Sequence, residues 1–257
     1  MKTVKGGPFM EYVNPPAEAP KNITHHTFYC KLYEHELGYN IYLPDGYETG
    51  DERYPVFYHL HGWTGSESSE IRTMHSVCTA RKAITVFPNS SPVIEDREYL
   101  PTEKMIVQEL IPLIDSLYRT QADRAHRGIS GFSMGGGAAM FYGIRHPELF
   151  SSVTAYAGTY HHYFCYTDFR TVGASIEKAA EFYEDLLAAD APIEKNILKL
   201  AEQQADAMRQ MQISMHIGTK DVLYCDNEIF RLHLEKLGIP FEYRTFEGAE
   251  HHLPSIL

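Results

Sequence analysis

The fold is indicated by one stretch, Arg127-Gly128-Ile129-Ser130-Gly131-Phe132-Ser133-Met134-Gly135-Gly136-Gly137. A short apolar run leads into the pattern G-x-S-x-G at residues 131–135, and a helix rich in small residues is predicted to follow it. A strand that turns this sharply into a helix strains the turn residue and lifts the Ser133 hydroxyl above the helix N-terminus. The same pattern also occurs as a plain Gly-Ser turn without chemistry, so the surrounding sequence has to decide between the two interpretations.

Composition is typical of a globular protein with a sizeable core. The chain has 257 residues, of which 44% are hydrophobic and 22% charged, and this length suits one large α/β domain. The formal net charge of -11 disfavours nucleic acid and anionic membranes as partners, because their phosphates would be repelled. The cysteines are scattered without C-x-x-C spacing and are predicted to be reduced thiols: Cys30, Cys78, Cys165 and Cys225.

The N-terminal region differs in composition from the rest. Residues 1–22 are rich in proline, glycine and charge, which predicts a loosely attached leader or arm. Its positive charges are not followed by an apolar segment, and no run in the chain is long enough to span a membrane. We therefore expect a cytoplasmic protein, although a secreted protein trimmed of its leader would have the same sequence.

Strands and helices alternate from residue 23 onward. Beside the elbow strand, predicted strands cover residues 27–33, 39–43, 54–60, 83–87, 151–158, 212–218 and 241–246, and predicted helices cover 68–80, 102–118, 137–145, 176–188, 193–208 and 226–237. Pro112 should kink the second of these helices. The alternation predicts a single α/β domain over residues 23–257, with a mostly parallel central sheet and helices on both faces. Residues 159–211 form a predicted cap-like helical insertion before the penultimate strand.

A serine nucleophile needs a base within hydrogen-bond reach and a carboxylate behind that base. On a sheet of this kind the partners follow later strands, in the chain order Ser, acid, His. His251 lies just past the last predicted strand and is favoured as the base over its neighbour His252. His233 also follows Ser133 in the chain, but it lies within a predicted helix and is expected to be structural. Asp221 follows the strand at 212–218 and is favoured as the acid over Asp226, whose position is more typical of a helix N-cap.

The developing oxyanion requires two N–H donors. One is predicted to be Met134, directly after the nucleophile. The other is predicted in the loop after the strand at 54–60, from Trp63 or, failing that, Gly62. The indole of Trp63 is also a candidate for the pocket wall, with a core position as the alternative.

An aromatic cluster opens the insertion at residues 160–166. Tyr160, His161 and Tyr163 are candidates for substrate contact, and a packed root of the insertion is the equally weighted alternative. The adjacent histidine pairs of the chain invite a metal interpretation, but neighbouring residues of a strand point to opposite faces. We therefore predict no metal and no other cofactor.

A set of short motifs carries a resemblance to one family: residues 39–47, 53–56, 60–62, 109–112, 118–120, 131–136, 145–150, 218–221 and 248–251. With them the chain resembles the α/β-hydrolases of the esterase D group, which includes feruloyl and acetylxylan esterases, S-formylglutathione hydrolase, enterochelin esterases and mycolyltransferases. The resemblance covers roughly residues 23–251. It implies an α/β-hydrolase fold, in which Ser133, Asp221 and His251 match the triad and Met134 and Trp63 match the oxyanion donors.

Two stretches depart from that family pattern. Residues 253–257 lack the aromatic residue and final helix that usually follow the catalytic histidine. This loop is therefore expected either to lack its usual C-terminal anchor or to take one from the insertion or from another subunit. Residues 88–92 lack the aromatic substrate-contacting run of many relatives, which leaves the substrate class open.

Together these features imply a serine carboxylic-ester hydrolase that acts on a small-molecule ester. Aromatic density around Trp63 and residues 160–166 favours aryl esters, such as feruloyl or cinnamoyl groups on carbohydrate. An acetylesterase, an S-formylglutathione hydrolase-type thioesterase and an acyltransferase are alternatives with the same triad. A catalytically silent binding protein is the alternative of another class, favoured if His251 cannot reach Ser133. Oligomeric state stays open, with a homo-oligomer among the alternatives.

Overall fold

A computed structural model describes residues 11–90, 100–160, 169–189 and 193–257. The chain forms two compact units, Met1–Arg127 and Gly128–Leu257, which we describe in turn. Within the described residues, no helix combines the length and the apolar character needed to cross a membrane.

The first unit is built on four strands in the order β1-β2-β4-β3. Their bounds are β1 Ile23–Cys30, β2 His35–Tyr42, β3 Val56–Leu60 and β4 Ile84–Pro88. β1 and β2 form an antiparallel hairpin, with Ile23 opposite Tyr42 and Cys30 opposite His35. β2 and β4 are antiparallel, whereas β3 and β4 are parallel. β3 ends in the loop that contains Trp63.

Helix α1, Ile71–Ala80, connects β3 to β4. A second helical stretch consists of α2 Leu100–Lys104, a π-helical segment Met105–Leu110 and α3 Ile111–Leu117. Pro112 stands in the first turn of α3, directly after the π-helical segment. Proline removes one helical hydrogen bond and its ring crowds the carbonyl four residues earlier, and the wider π turn provides the room. Short 3-10 helices occur at Tyr47–Thr49 and Arg124–His126.

The part of the predicted leader that the structure describes is hydrogen-bonded to the first unit. The carbonyl of Tyr12 accepts a 2.9 Å bond from the N–H of Gly38. The carbonyl of Asn14 accepts from the Ser68 hydroxyl, and its side-chain amide donates to Glu67 over 3.2 Å. Residues 12–14 are therefore held more firmly than a loose arm would be.

The second unit has four strands in sequential order, β5-β6-β7-β8. Their bounds are β5 Arg127–Phe132, β6 Ser152–Tyr156, β7 Gln212–Gly218 and β8 Glu242–Phe246, the first residue of β5 ending the first unit. All three pairings are parallel, and the predicted α/β architecture is confirmed. Parallel strands end at a common edge. Ser133, Asp221 and His251 therefore follow β5, β7 and β8 at the same edge.

Helices connect these parallel strands. They are α4 Met134–Arg145, α5 Ala179–Ala188, α6 Ile197–Gln203, α7 Ala205–Met208 and α8 Tyr224–Lys236, with short 3-10 helices at Phe169–Thr171, Ile176–Lys178, Ile193–Lys195 and Leu253–Ser255. The single helix predicted over 193–208 is divided into three pieces. Asn196 begins the second piece, because its side-chain oxygen accepts from the N–H groups of Leu198 and Lys199.

His233 on α8 joins the insertion to the rest of the second unit. Its Nε2–H donates to the carbonyl of Leu198 over 2.8 Å, and its Nδ1 lies 3.0 Å from the Tyr183 hydroxyl. His233 is fully buried, and its ring contacts that of Tyr183. Its role is therefore structural, as its position within a helix predicted.

Candidate active site

Ser133 occupies a strained turn between β5 and α4. Its φ of 56° and ψ of -117° lie in a region that residues with a side chain rarely adopt. Backbone hydrogen bonds hold it there: its N–H donates to Tyr156 over 2.8 Å, and its carbonyl accepts from Gly137 and Thr159. A Cβ on Gly136 would lie 2.9 Å from the Tyr156 carbonyl oxygen. Only glycine therefore lets α4 start this close to the end of β6.

His251 lies in the loop after β8 and reaches the serine. Its Nε2 is 2.9 Å from the Oγ of Ser133. The loop is bound to the end of β7, where the N–H of Lys220 donates to the carbonyl of Ala249 over 2.9 Å. A Cβ on Gly218 would overlap that carbonyl, so glycine at this position allows the two loops to touch.

Asp221 completes the arrangement from the loop after β7. Its two carboxylate oxygens lie 2.8 and 2.9 Å from Nδ1 of His251, and its side chain is fully buried. One oxygen also accepts the N–H of Leu223 over 2.8 Å. Because an ionised carboxylate only accepts hydrogen bonds, Nδ1 of the imidazole carries the proton and Nε2 presents a lone pair to the serine hydroxyl.

The structure thus connects Asp221, His251 and Ser133 in one continuous hydrogen-bond chain. An imidazole with this tautomer can accept the serine proton as the oxygen attacks an electrophile, and the carboxylate stabilises the resulting imidazolium. His252, the alternative base, is exposed to solvent. Across the described residues, no group of three or more His, Cys, Asp or Glu side chains is arranged to hold a metal ion.

Asp226, the alternative acid, has a different role, and the prediction that it caps a helix was wrong. The N-cap of α8 is Leu223, and Asp226 lies inside the first turn. Its buried carboxylate accepts the backbone N–H of Tyr160 over 2.7 Å and the hydroxyl of Thr171 over 3.1 Å. Asp226 therefore connects α8 to Tyr160 and to the 3-10 helix Phe169–Thr171. Spacing alone could not distinguish this from capping.

The candidate substrate-contacting residues of the aromatic cluster divide into two groups. Tyr160 is fully buried, with its ring centroid 4.8 Å from that of Phe230. Burial and the charge of Asp226 raise the pKa of its hydroxyl well above the usual value. This environment favours the packed root of the insertion over a pocket wall for Tyr160. His161 and Tyr163 lie outside the described residues.

The chain that follows His251 is held by its own residues 253–256, so the expectation that this loop lacks an anchor of its own was wrong. Leu253 and Ile256 are buried, at 3% and 0% exposure. His216, inside β7, donates from Nδ1 to the carbonyl of Ile256 over 2.9 Å. Burial lowers the pKa of His216. A short apolar segment and one buried histidine therefore fix the chain that follows His251, and the sequence signal for this was the pair of apolar residues at 253 and 256.

Trp63 lies in the loop after β3 and is 54% exposed, so it is not a core residue. The carbonyl of Gly62 accepts from Nδ1–H of His61 over 2.8 Å and from the N–H of Gly65 over 3.0 Å. That carbonyl and the N–H of Trp63 belong to the same planar peptide and point in opposite directions. These contacts therefore fix the direction of the Trp63 N–H within the first unit.

Sequence reasoning missed the carboxylate that supports this loop. Glu70 accepts the N–H of Gly62 over 2.9 Å, and its other oxygen lies 2.7 Å from Nε2 of His59. His61 is buried as well, and burial lowers the pKa of its imidazole. Its Nε2 accepts the N–H of Ser90 over 3.1 Å. The rings of His59 and His61 therefore have different hydrogen-bond neighbours, Glu70 for the first and Ser90 for the second.

Met134 begins α4 directly after Ser133. The N–H groups of the first helical turn have no acceptor within a helix, and that of Met134 is the one next to the nucleophile. The positive end of the helix dipole lies at the same place. An anion that forms at this turn would be stabilised by the N–H of Met134 and by the helix dipole.

The family comparison agrees with this geometry. The family model described as "Esterase: Putative esterase" matches residues 31–254. The curated protein Esterase Rv1288 of Mycobacterium tuberculosis (strain ATCC 25618 / H37Rv) is 31% identical over 133 residues, which are 47% of this chain and 29% of that protein. The "Endo-1,4-beta-xylanase/feruloyl esterase" of Xylanibacter ruminicola is 32% identical over 155 residues, 50% of this chain and 20% of that protein. The chain therefore spans less than a third of the length of these curated relatives.

Solved structures share the fold over nearly the whole chain. One described as a ferulic acid esterase superimposes with a TM-score of 0.69 at 24% identity, covering 90% of this chain and 91% of its own. The S-formylglutathione hydrolase FrmB of Staphylococcus aureus superimposes with a TM-score of 0.68 at 15% identity, covering 90% and 92%. The predicted α/β-hydrolase fold is confirmed.

Proposed function

This chain belongs to the esterase family, and from that premise we propose that it is a serine carboxylic-ester hydrolase that acts through an acyl-enzyme. The observation that carries the proposal is the hydrogen-bond chain from Asp221 through His251 to Ser133, with separations of 2.8 and 2.9 Å. Each residue is present, correctly ordered in the chain and correctly oriented for proton transfer.

The reaction has two halves. In the first, Oγ of Ser133 attacks the acyl carbon while Nε2 of His251 takes its proton, and the alcohol leaves with that proton. In the second, water attacks the acyl-enzyme while His251 again takes and returns a proton. Asp221 holds the imidazole in the required tautomer throughout.

The tetrahedral oxyanion of each half needs N–H donors. The N–H of Met134 is the first, because it follows the nucleophile at the start of α4. The N–H of Trp63 stays our prediction for the second. Removing one such donor typically costs about 3 kcal/mol of transition-state stabilisation.

For the substrate we propose an aryl ester, of the feruloyl or cinnamoyl type, or another small ester on carbohydrate. The exposed indole of Trp63 supports an aromatic partner, and one curated relative is named as a feruloyl esterase. An acetylesterase and an S-formylglutathione hydrolase-type thioesterase are the alternatives with the same machinery, and a solved structure of the latter type shares the fold.

A catalytically silent binding protein was the alternative of another class. It required that His251 could not reach Ser133, and the 2.9 Å separation weighs against it. We therefore propose an enzyme and not a silent binding protein.

The deciding experiment compares hydrolysis of 4-nitrophenyl acetate and methyl ferulate by the wild type and by Ser133→Ala. We expect turnover of at least one ester and a loss of about 10⁵-fold or more in the variant. The pair His251→Ala and His252→Ala is the matched control, since only the first should abolish turnover. After treatment with diethyl 4-nitrophenyl phosphate, intact mass should show one diethylphosphoryl group on the wild type and none on Ser133→Ala, which identifies Ser133 as the nucleophile. A folded wild type that neither turns over an ester nor is labelled would overturn the proposal.

A further inference from the structure

The residue before the nucleophile contacts the base. The ring centroid of Phe132 lies 4.8 Å from that of His251, with 27° between the two planes. This is the geometry of an offset aromatic stack. Phe132 is half-buried, and its backbone belongs to the last position of β5, opposite Tyr156 of β6.

The hydrogen bonds of His251 leave one rotation of its ring open. Asp221 holds Nδ1 and Ser133 faces Nε2, and both contacts lie at the edge of the imidazole. Two edge contacts on opposite sides define an axis, and the ring can still tilt about it. A flat contact on one face removes that tilt. The phenyl ring of Phe132 supplies this contact from a strand end, whereas His251 itself lies in a loop.

The contact also distinguishes the two charge states of the base. When His251 takes the serine proton it becomes a cation, and the face of an aromatic ring attracts a cation. An interaction that is stronger with the imidazolium than with the neutral imidazole favours the transition state over the ground state. The buried Asp221 is the charged group in contact with the base. Lys220 is next to Asp221 in the chain, and Glu250 and His252 are the sequence neighbours of His251.

We propose that Phe132 is a positioning residue of the esterase reaction, which fixes the face of the His251 imidazole and stabilises its protonated form. This inference rests on the proposed triad mechanism. It assigns a function to the variable second position of the G-x-S-x-G pattern, which is covalently joined to the nucleophile and stacks on the base.

The test measures kcat/KM against pH for the wild type, Phe132→Leu and Phe132→Tyr. Activity requires the neutral imidazole, so weaker stabilisation of the imidazolium moves the acid limb of the profile to lower pH. For Phe132→Leu we expect the acid limb to move by about half a pH unit to lower pH. We also expect kcat at the plateau to fall by roughly threefold to tenfold. Phe132→Tyr keeps the ring and should keep both the limb and kcat.

Phe246→Leu is the matched control. The ring of Phe246 also contacts a histidine, His216, with centroids 5.7 Å apart, and neither residue belongs to the proposed triad. Phe246 also directly precedes the catalytic loop, so general disturbance of that loop would appear in this variant. We expect its acid limb to coincide with that of the wild type.

If Phe132→Leu does not fold, 3,4,5-trifluorophenylalanine at position 132 replaces it, because it keeps the shape of the ring and weakens its negative face. A shift of the acid limb in the same direction supports the proposal. An unchanged acid limb in Phe132→Leu or in the fluorinated variant, with a change in KM only, would overturn it and make Phe132 a substrate contact. An inactive wild type would instead overturn the triad mechanism itself.

Discussion

Two histidine–carboxylate pairs lie near the ends of parallel strands, one in each unit, and they differ in what else they touch. In the second unit Nδ1 of His251 is 2.8 Å from Asp221, and its Nε2 faces the hydroxyl of Ser133. In the first unit Nε2 of His59 is 2.7 Å from Glu70. The side chain of His251 is 30% exposed, whereas that of His59 is 1% exposed and its ring contacts Phe87.

The carboxylates differ in the same way. The second hydrogen-bond partner of Asp221 is a backbone N–H of its own turn, Leu223. The second partner of Glu70 is the N–H of Gly62, in the loop that contains Trp63. The Asp221–His251 pair can therefore pass a proton to a solvent-facing atom, whereas the Glu70–His59 pair fixes a segment of backbone. Equal distances between a histidine and a carboxylate do not indicate equal functions, and the neighbours of the pair distinguish catalysis from support.

The largest difference between the pairs should appear in catalysis. Asp221→Asn is expected to lower kcat by about 10⁴-fold, because an amide that donates to Nδ1 puts the imidazole proton on Nε2, where it faces the serine. Glu70→Gln is expected to lower kcat by less than about tenfold, since it alters only the support of a loop. Steady-state kinetics on 4-nitrophenyl acetate measure both. Similar losses in the two variants would contradict the distinction.

The support of the loop that carries His251 gives the next largest effect. Ile256 is fully buried, and Ile256→Ala is expected to reduce the free energy of unfolding by about 2–4 kcal/mol through the cavity that it leaves. Leu257→Ala, at the half-exposed neighbouring position, serves as the control and should cost less than about 1 kcal/mol. Urea denaturation followed by circular dichroism measures both. Equal stability of the two variants would mean that Ile256 does not anchor the segment after His251.

Glu70→Gln should lower the free energy of unfolding, because the Glu70–His59 pair of the first unit has a structural role. Its carboxylate accepts from both Gly62 and His59, and an amide can accept only on one side. The amide can then donate to His59 only if the buried imidazole changes its tautomer, and we expect this to cost about 1–3 kcal/mol in the free energy of unfolding. Asp221→Asn makes the matched comparison. If Glu70→Gln unfolds at the same urea concentration as the wild type, the support of the Gly62 peptide has another source.

The hydrogen-bonded arrangement of Ser133, His251 and Asp221 could be predicted from the sequence because the proposed chemistry is tied to chain order. The strand-helix pattern places Ser133, Asp221 and His251 after strands that share an edge, and few residues at those positions can act as base or acid. Asp226 was misassigned because its partners, Tyr160 and Thr171, are more than fifty positions away in the chain. No local pattern records such a contact.

The loop supports were missed for a related reason. Glu70 lies just before α1, where a glutamate is an ordinary surface residue, and only the fold brings it to His59 and Gly62. The stack of Phe132 on His251 likewise depends on a loop that returns over the sheet edge. Periodicity identifies the elements and the order of the reacting groups, whereas the contacts that orient those groups arise from tertiary packing.

The smallest expected effect concerns His216, the histidine whose hydrogen bond to Ile256 holds the segment after His251. Burial is the main reason that its pKa is lowered from 6.5, with a smaller contribution from Arg244; the bond to the Ile256 carbonyl and Glu242 oppose the shift. Because the unfolded chain binds a proton at higher pH than the folded protein does, the stability from His216 is complete above about pH 6.5 and declines as the pH falls below it. His216→Asn places an amide N–H where Nδ1 was, so it keeps a donor for the carbonyl of Ile256 and removes the titration.

The free energy of unfolding of His216→Asn should therefore fall less than that of the wild type between about pH 7.5 and pH 5, by roughly 1 kcal/mol or less. The remaining slope would come from groups shared by both proteins, His61 and His26, whose pKa values burial also lowers. Urea denaturation at a series of pH values gives the comparison. Parallel curves for the two proteins would show that His216 takes up its proton equally readily in the folded and unfolded chains, and the neutral, carbonyl-bound imidazole assigned to it here would be wrong.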